Sequence, residues 1–401
     1  MDTELLTALL DKRSFCACDR TMDWQRWKSS GLPALLALPS MLWLAACCNV
    51  LQVLCLILWA AGLRKEYTQA IRFIVEVMHR PFLFLMEYSG SRVYIYGEGD
   101  VKVDILQTLG YNQSMIFSNH RGDLDWLIGL LVEDNGGGLG CCKAIVKQEL
   151  VFLPLFGFAW WSADFICINR NWQSDRRKLD AGYQRQHEYR QWDIPYTLTI
   201  FPEGTRLTPE KLRDSQEFCA SKGYPRLENS LCPRAKGLWS AVNGMQLDCV
   251  YDITVIQNGN GKANILTLAQ GVPAEFHVHV QKLDPSGIPV EEDAFQKWIL
   301  ERWLRKDGQL ARFAKDGHLG ADQGLVGRHL LSVSPACGQT VVGAIAWWLL
   351  STACFLCFCV LSGRYRLLAG VGLGTLLFVV LTAVVVHQVH FTHSAQGKKS
   401  K

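Results

Sequence analysis

Two long stretches without a single Asp, Glu, Lys or Arg frame this chain, at residues 29–63 and 330–363. A polypeptide cannot bury two such runs beside the mixed-charge sequence between them as an ordinary small globule. Within the first, Met41 to Leu63 is long enough to cross a bilayer, with Asn49 and Gln52 as its strongest polar interruptions. Pro33 and Pro39 mark its entry, and a re-entrant or interfacial hairpin is the alternative to a full span. Within the second, Thr340 to Leu361 is a membrane-helix candidate; after Arg364 and Arg366, Leu367 to Val386 predicts another, so the two form a hairpin with a short loop. The chain therefore reads as a polar folded region held between membrane segments.

Orientation follows from the flanking cations. Arg64 and Lys65 close the first run and favour a cytoplasmic C-terminal end for it. Arg328 and the lysines at 398, 399 and 401, against two arginines in the hairpin loop, put both outer ends of the hairpin on that same side. The net charge of +4 is too modest for a nucleic-acid protein, and no nucleic-acid motif is visible. The 15 cysteines form no paired zinc-finger units, and several lie inside the apolar runs, which suits a reduced, cytosol-facing domain.

Between the membrane segments the pattern alternates. From Glu66 to about Tyr88 it is amphipathic, with Ile71, Ile74, Val77 and Met78 on one side, as expected of a helix lying between membrane and domain. Strands are predicted at Arg92–Gly97, Met115–Ser118, Ala144–Val146, Phe165–Ile168, Tyr196–Phe201, Cys249–Ile256 and Glu275–Leu283. Helices are predicted over Ser174–Glu188, Arg234–Met245 and Glu291–Arg305. The alternation predicts an α/β domain with a central, mostly parallel sheet flanked by helices. The expected organisation is a polar tail (1–33), a membrane segment (34–63), an interfacial helix region (64–90), the α/β domain (91–310), a linker (311–339), two transmembrane helices (340–387) and a basic tail (388–401).

Chemistry concentrates where strands end. The stretch Phe117-Ser118-Asn119-His120-Arg121-Gly122-Asp123-Leu124-Asp125 passes from an apolar strand through a polar turn into an apolar helical run. Continuous helix would rotate His120 and Asp125 roughly 140° apart, so they meet only if a turn separates them, which Gly122 makes easy. A carboxylate on one ring nitrogen would leave the other free to take a proton, the base and orienter of a triad without its nucleophile. Asp123, three residues on, is the rival partner, and a helix N-cap by Asp123 beside a surface histidine is the plainer alternative. Later, Phe201-Pro202-Glu203-Gly204-Thr205-Arg206 ends another strand, and Asn169-Arg170-Asn171-Trp172 ends a third; both offer guanidinium groups to an anion. Cys232-Pro233-Arg234-Ala235-Lys236-Gly237 adds two cations before a helix.

In this order, Asn-His-x4-Asp, a strand ending in Arg, and Phe-Pro-Glu-Gly-Thr-Arg, the chain resembles the glycerolipid acyltransferase family over roughly residues 90–310. It is most similar to the eukaryotic endoplasmic-reticulum 1-acyl-sn-glycerol-3-phosphate acyltransferases and lysocardiolipin-type relatives, through Asn169–Trp172, Pro233–Gly237, Tyr251–Thr254 and His277–Val280. Tyr251-Asp252-Ile253-Thr254-Val255 replaces the proline-bearing fourth motif of bacterial members. The resemblance implies transfer of an acyl chain from acyl-CoA to the sn-2 hydroxyl of 1-acyl-sn-glycerol-3-phosphate, giving phosphatidic acid and CoA. The alternative is acylation of other lysophospholipids such as lysocardiolipin or lysophosphatidylinositol. It implies His120 and Asp125 as the catalytic pair, and Arg170, Glu203, Gly204, Thr205 and Arg206 as substrate-binding residues. Lys147 and Lys236 are further phosphate or CoA contacts. Neither metal nor cofactor is expected, acyl-CoA being a co-substrate. A multi-pass endoplasmic-reticulum membrane protein with a cytosolic catalytic domain is expected, and the Lys398-Lys399 tail resembles a dilysine signal read by coatomer.

Overall fold

A computed structural model describes residues 32–97, 108–259, 263–317, 319, 326–364 and 367. The N-terminal tail, the expected second helix of the C-terminal hairpin and the basic C-terminal tail lie outside the described residues. The described chain begins with α1 (Leu32–Ala60) and α2 (Arg64–Ser89), then β1 (Arg92–Gly97), β2 (Gln113–Ser118) and α3 (Asp125–Asn135). There follow β3 (Cys142–Lys147), α4 (Phe156–Ser162), β4 (Ile166–Ile168), α5 (Trp172–Gln191) and β5 (Tyr196–Ile200). Next come α6 (Pro209–Lys222), α7 (Ala235–Gly244), β6 (Cys249–Gln257), α8 (Ile265–Ala269) and β7 (Glu275–Leu283). The described chain closes with α9 (Glu292–Asp316), β8 (Val326–Leu331) and α10 (Pro335–Leu361).

Among the described residues the strands form one eight-stranded sheet, ordered β4-β3-β5-β2-β6-β7-β1-β8. The β4-β3-β5-β2-β6 half is parallel; β7 joins antiparallel to β6, β1 runs parallel to β7, and β8 caps the edge antiparallel to β1. Side chains of a strand alternate between faces, and β2 shows the consequence. Its Met115 and Phe117 enter a core with Tyr183 of α5, Leu238 of α7 and Trp303 of α9, while Ile116 enters another with Leu127 of α3 and Leu83 of α2. Because both faces are covered, all six residues of β2 are buried, as befits a parallel sheet between two helical layers.

The α/β expectation therefore holds, and one boundary needs correction. Of residues 311–339, expected as a linker, 311–316 complete α9, 326–331 form β8 of the sheet and 335–339 open α10. The run Val-Gly-Arg-His-Leu-Leu has no period-2 pattern to announce a strand; it becomes one because β1 offers it an open edge.

α1 is one uninterrupted helix of 29 residues, with Pro39 inside its first turns and no hairpin break. At ~1.5 Å per residue it exceeds the ~30 Å hydrocarbon thickness of a bilayer. Ala37–Ala60 and Pro335–Leu361 both pass the length and composition of a membrane span, with only 17% and 11% of their most apolar windows buried in the protein. A core helix of a soluble protein would be largely covered; these leave Leu54, Ile57, Trp347 and Leu350 outward. Both pack on α2, which buries Ile71, Ile74 and Met78 beneath them and sends Leu83, Leu85 and Met86 into the sheet core. The protein is a membrane protein whose two described spans stand on the α2 side of the sheet.

Candidate active site

The adjacent parallel strands β4, β3, β5 and β2 end at one edge of the sheet. Neighbouring strands lie ~4.8 Å apart, so residues just past their ends become neighbours whatever their separation in sequence. Arg170 follows β4, Lys147 ends β3, the Glu203–Arg206 turn follows β5, and His120 follows β2. This is the carboxyl end of an α/β sheet, where such folds place ligands.

The His120–Asp125 pair forms through the predicted turn. His120 Nδ1 lies 2.9 Å from Asp125 Oδ2. The same oxygen accepts the backbone N–H groups of Arg121 at 2.7 Å and Gly122 at 2.9 Å. Asp125 opens α3, and its carboxylate folds back over the loop preceding it. A carboxylate only accepts, so Nδ1 carries the proton and Nε2 is left with a bare lone pair. Asp125 is buried, whereas the imidazole keeps partial exposure and lies against Phe201, ring centroids 4.6 Å apart. Asp123 turns the other way and forms an ion pair with Arg206. The choice between the two aspartates is thus made by where the helix starts.

Glu203, expected among the substrate-binding residues, lies buried beneath the His120 loop, and Trp303 of α9 donates its indole N–H to Oε1 at 3.1 Å. Burial pushes its carboxyl up to about 8, against the pull of the Trp303 indole and of nearby backbone amides at His120 and Leu231. Because this folded-state value stands above the ordinary 4.5, the group stabilises the fold fully below pH 4.5 and loses that contribution as pH rises toward 8. Glu203→Gln is therefore expected to flatten the fall in thermal stability between pH 5 and pH 8, each unit there costing the parent up to about 1.4 kcal/mol. Parallel melting curves at several pH values check this; an identical slope in parent and variant would remove the buried acid from the account.

Around the mouth of the site lies a group of cations: Lys147, Arg170, Arg206, Lys211 and Arg234. Burial, then the charges of Arg170, Arg206 and Lys147, hold the Lys211 ammonium below its ordinary range. Burial and then Arg234 do the same to Arg170, and burial alone to Arg206. Lys211 reaches back from the first turn of α6 to donate to the hydroxyl of Thr205. Thr208 caps that helix, accepting from Lys211 N at 3.3 Å. Gly204 adopts φ 69°, a conformation glycine takes without strain, and the Arg234 side chain lies 3.5 Å from where its Cβ would be. Arg170 itself sits at φ 64°, which bends the chain sharply between β4 and α5. Cations crowded this way outnumber the carboxylates against them, Asp123 on Arg206 and Glu149 on Lys147, and suit an anion such as a phosphate monoester.

Two of these cations escaped the sequence reading as ligands. Lys211 could have been suspected from Thr208-Pro209, a helix start only two residues past the Arg206 turn. Arg234 stands in the same motif as Lys236, the one named above as a phosphate or CoA contact. Lys236 stands apart from the cluster, its ammonium 4.7 Å from the Trp172 ring centroid and 4.0 Å from Glu292.

The Acyltransferase family model matches residues 100–256, and the Acyltransferase C-terminus model residues 267–345. The chain is 30% identical over 278 residues to 1-acyl-sn-glycerol-3-phosphate acyltransferase 2 of Brassica napus, covering 68% of each chain. It is 30% identical over 273 residues to 1-acyl-sn-glycerol-3-phosphate acyltransferase 3 of Arabidopsis thaliana, covering 67% of this chain and 71% of that one. With 1-acyl-sn-glycerol-3-phosphate acyltransferase gamma of Homo sapiens it shares 29% identity over 220 residues, 54% of this chain and 58% of that one. A solved structure, the 1-acyl-sn-glycerophosphate acyltransferase PlsC of Thermotoga maritima, aligns with TM-score 0.40 and 17% identity over 71% of this chain and 98% of that chain. Since the likeness to the plant enzymes extends over two thirds of both partners, the chain belongs to the 1-acyl-sn-glycerol-3-phosphate acyltransferase family.

Proposed function

We propose that the protein transfers an acyl group from acyl-CoA to the sn-2 hydroxyl of 1-acyl-sn-glycerol-3-phosphate, forming phosphatidic acid and free CoA. The observation that carries this is the pairing of an oriented imidazole, Nε2 bare, with a cation cluster on the neighbouring strand ends. The cluster suits the phosphate; the imidazole suits a hydroxyl that must lose its proton. His120 Nε2 takes the proton as the sn-2 oxygen attacks the thioester carbonyl. The tetrahedral intermediate collapses with expulsion of the CoA thiolate, which takes up the proton from the imidazolium. The thioester is already activated, so the enzyme needs no nucleophile of its own. Asp125 keeps the tautomer, and Arg170, Arg206, Lys211, Arg234 and Lys147 hold the phosphate.

The membrane spans suit an acceptor that is itself a lipid. Arg64 and Lys65, just past α1, favour a cytosolic α/β domain, where acyl-CoA would be met, in a multi-pass protein of the endoplasmic reticulum. The Lys398-Lys399 tail would then present its lysines to coatomer from the same side.

The test is a transfer assay on the purified full-length protein in vesicles, with one acyl-CoA and several lysophospholipids. Phosphatidic acid and free thiol are expected in equal amounts, with lysophosphatidate preferred. A strong preference for an acceptor with a large headgroup, or release of free fatty acid in place of transfer, overturns the proposal.

A further inference from the structure

A groove of about 370 Å³ lies between α5 and α7. Small-molecule pockets fall at ~300–1,000 Å³. Its walls are two indoles, Trp172 and Trp239, with Arg176 and Lys236 as cations and Asp180 and Glu292 as acceptors. Two of its lining residues follow cluster cations closely in sequence: Trp172 is two residues past Arg170, and Lys236 two past Arg234. From Lys236 it follows α7 to Gly244, a rise of ~12 Å. One wall is held in place, for Trp239 donates its indole N–H to Val290 O at 2.8 Å.

The groove's position decides what it can take. α5, α7 and α9 cover one face of the sheet, whereas the two membrane helices pack on α2, whose core lies on the other face. The groove thus faces water and not lipid, and its walls carry charge of both signs. Aromatic faces beside cations and carboxylates fit a purine with phosphates: indoles stack the base, Arg176 and Lys236 meet phosphate, and Asp180 accepts from an exocyclic amine.

We propose that this groove docks the adenine nucleotide end of the thioester donor, so that the acyl-bearing arm reaches past Arg170 and Arg234 to His120. This rests on the donor assignment above and goes beyond it by locating the nucleotide. It also gives Lys236 a function: it serves the donor, apart from the phosphate of the acceptor.

Two donors separate the proposals: acyl-CoA, and acyl-pantetheine, which carries the same thioester without the nucleotide. With the full-length protein in vesicles, Trp239→Ala is expected to raise KM for acyl-CoA about tenfold and to shift that for acyl-pantetheine less than about twofold. Arg176→Ala, at an exposed position, is expected to show the same selectivity with a smaller rise, and a melting curve like the parent's verifies its fold. In the parent protein, 3′-phosphoadenosine 5′-phosphate is expected to compete with acyl-CoA and to lose potency in Arg176→Ala. Equal effects on both donors, or undiminished inhibition in Arg176→Ala, overturn the nucleotide groove while leaving acyl transfer standing. A parent protein that accepts neither thioester overturns the proposed function, and this inference with it.

Discussion

His120→Ala is expected to slow acyl transfer ~10³-fold, the middle of the range that a positioned general base contributes. The loss should fall on kcat with little change in KM for lysophosphatidate, because the proposed phosphate contacts come from other segments of the chain. Asp125→Asn is expected to follow it. Three donors converge on Asp125 Oδ2, namely His120 Nδ1 and the amides of Arg121 and Gly122. An asparagine has one acceptor oxygen, and if it turns its amide toward the ring it forces the proton onto Nε2, the wrong tautomer for a base. Asp123→Asn, whose carboxylate pairs with Arg206, should keep kcat and weaken acceptor binding. Single-turnover transfer with labelled acyl-CoA, beside thermal melts to verify folding, checks all three. Parent-like turnover in a folded His120→Ala protein would remove the base.

The second large effect is expected at the cation cluster. Arg206→Ala and Arg170→Ala each remove a guanidinium from a crowded positive site, and a lost hydrogen bond to a charged partner costs about 1.5–3 kcal/mol. That corresponds to a rise in KM for lysophosphatidate on the order of 10–100-fold per substitution. Arg234→Ala and Lys211→Ala should act in the same sense. Combined substitutions should fall short of additivity, because each cation removed relieves the crowding that lowers its neighbours. Lys236→Ala should leave acceptor KM near the parent value. The measurement is initial rate against lysophosphatidate in mixed vesicles at fixed acyl-CoA. A uniform fall in kcat without a KM change would show the arginines to be structural.

Much of this is legible in the sequence. β1 and β7 occupy the predicted residues, because apolar runs bounded by turn residues carry their own signal. The strand-end motifs were legible for the same reason: a polar cluster after an apolar run can only be a turn at the sheet edge. β8 was not, since its six residues pair only because β1 is exposed beside them. Arg234 against Lys236 was a question of backbone conformation. Arg234 is the extended residue before α7 and Lys236 lies in its first turn, so the backbone turns from extended to helical between them, leaving Arg234 beside Gly204 and Lys236 over Trp172. Nothing in a linear motif records that turn.

The opening constraint stands in the same light. Two charge-free stretches, an alternation of strand and helix, and a histidine with carboxylates at a strand-end turn are local properties, and local composition determined them. The alternative roles of Asp123 and Asp125, the burial of Glu203 under Trp303 and the gathering of Lys211 and Arg234 around Arg170 were decided only by the tertiary structure. The physical reason is one of distance. Hydrogen bonds and charge interactions act over a few ångströms, and only the stacking of β4, β3, β5 and β2 brings residues so far apart in sequence within that reach.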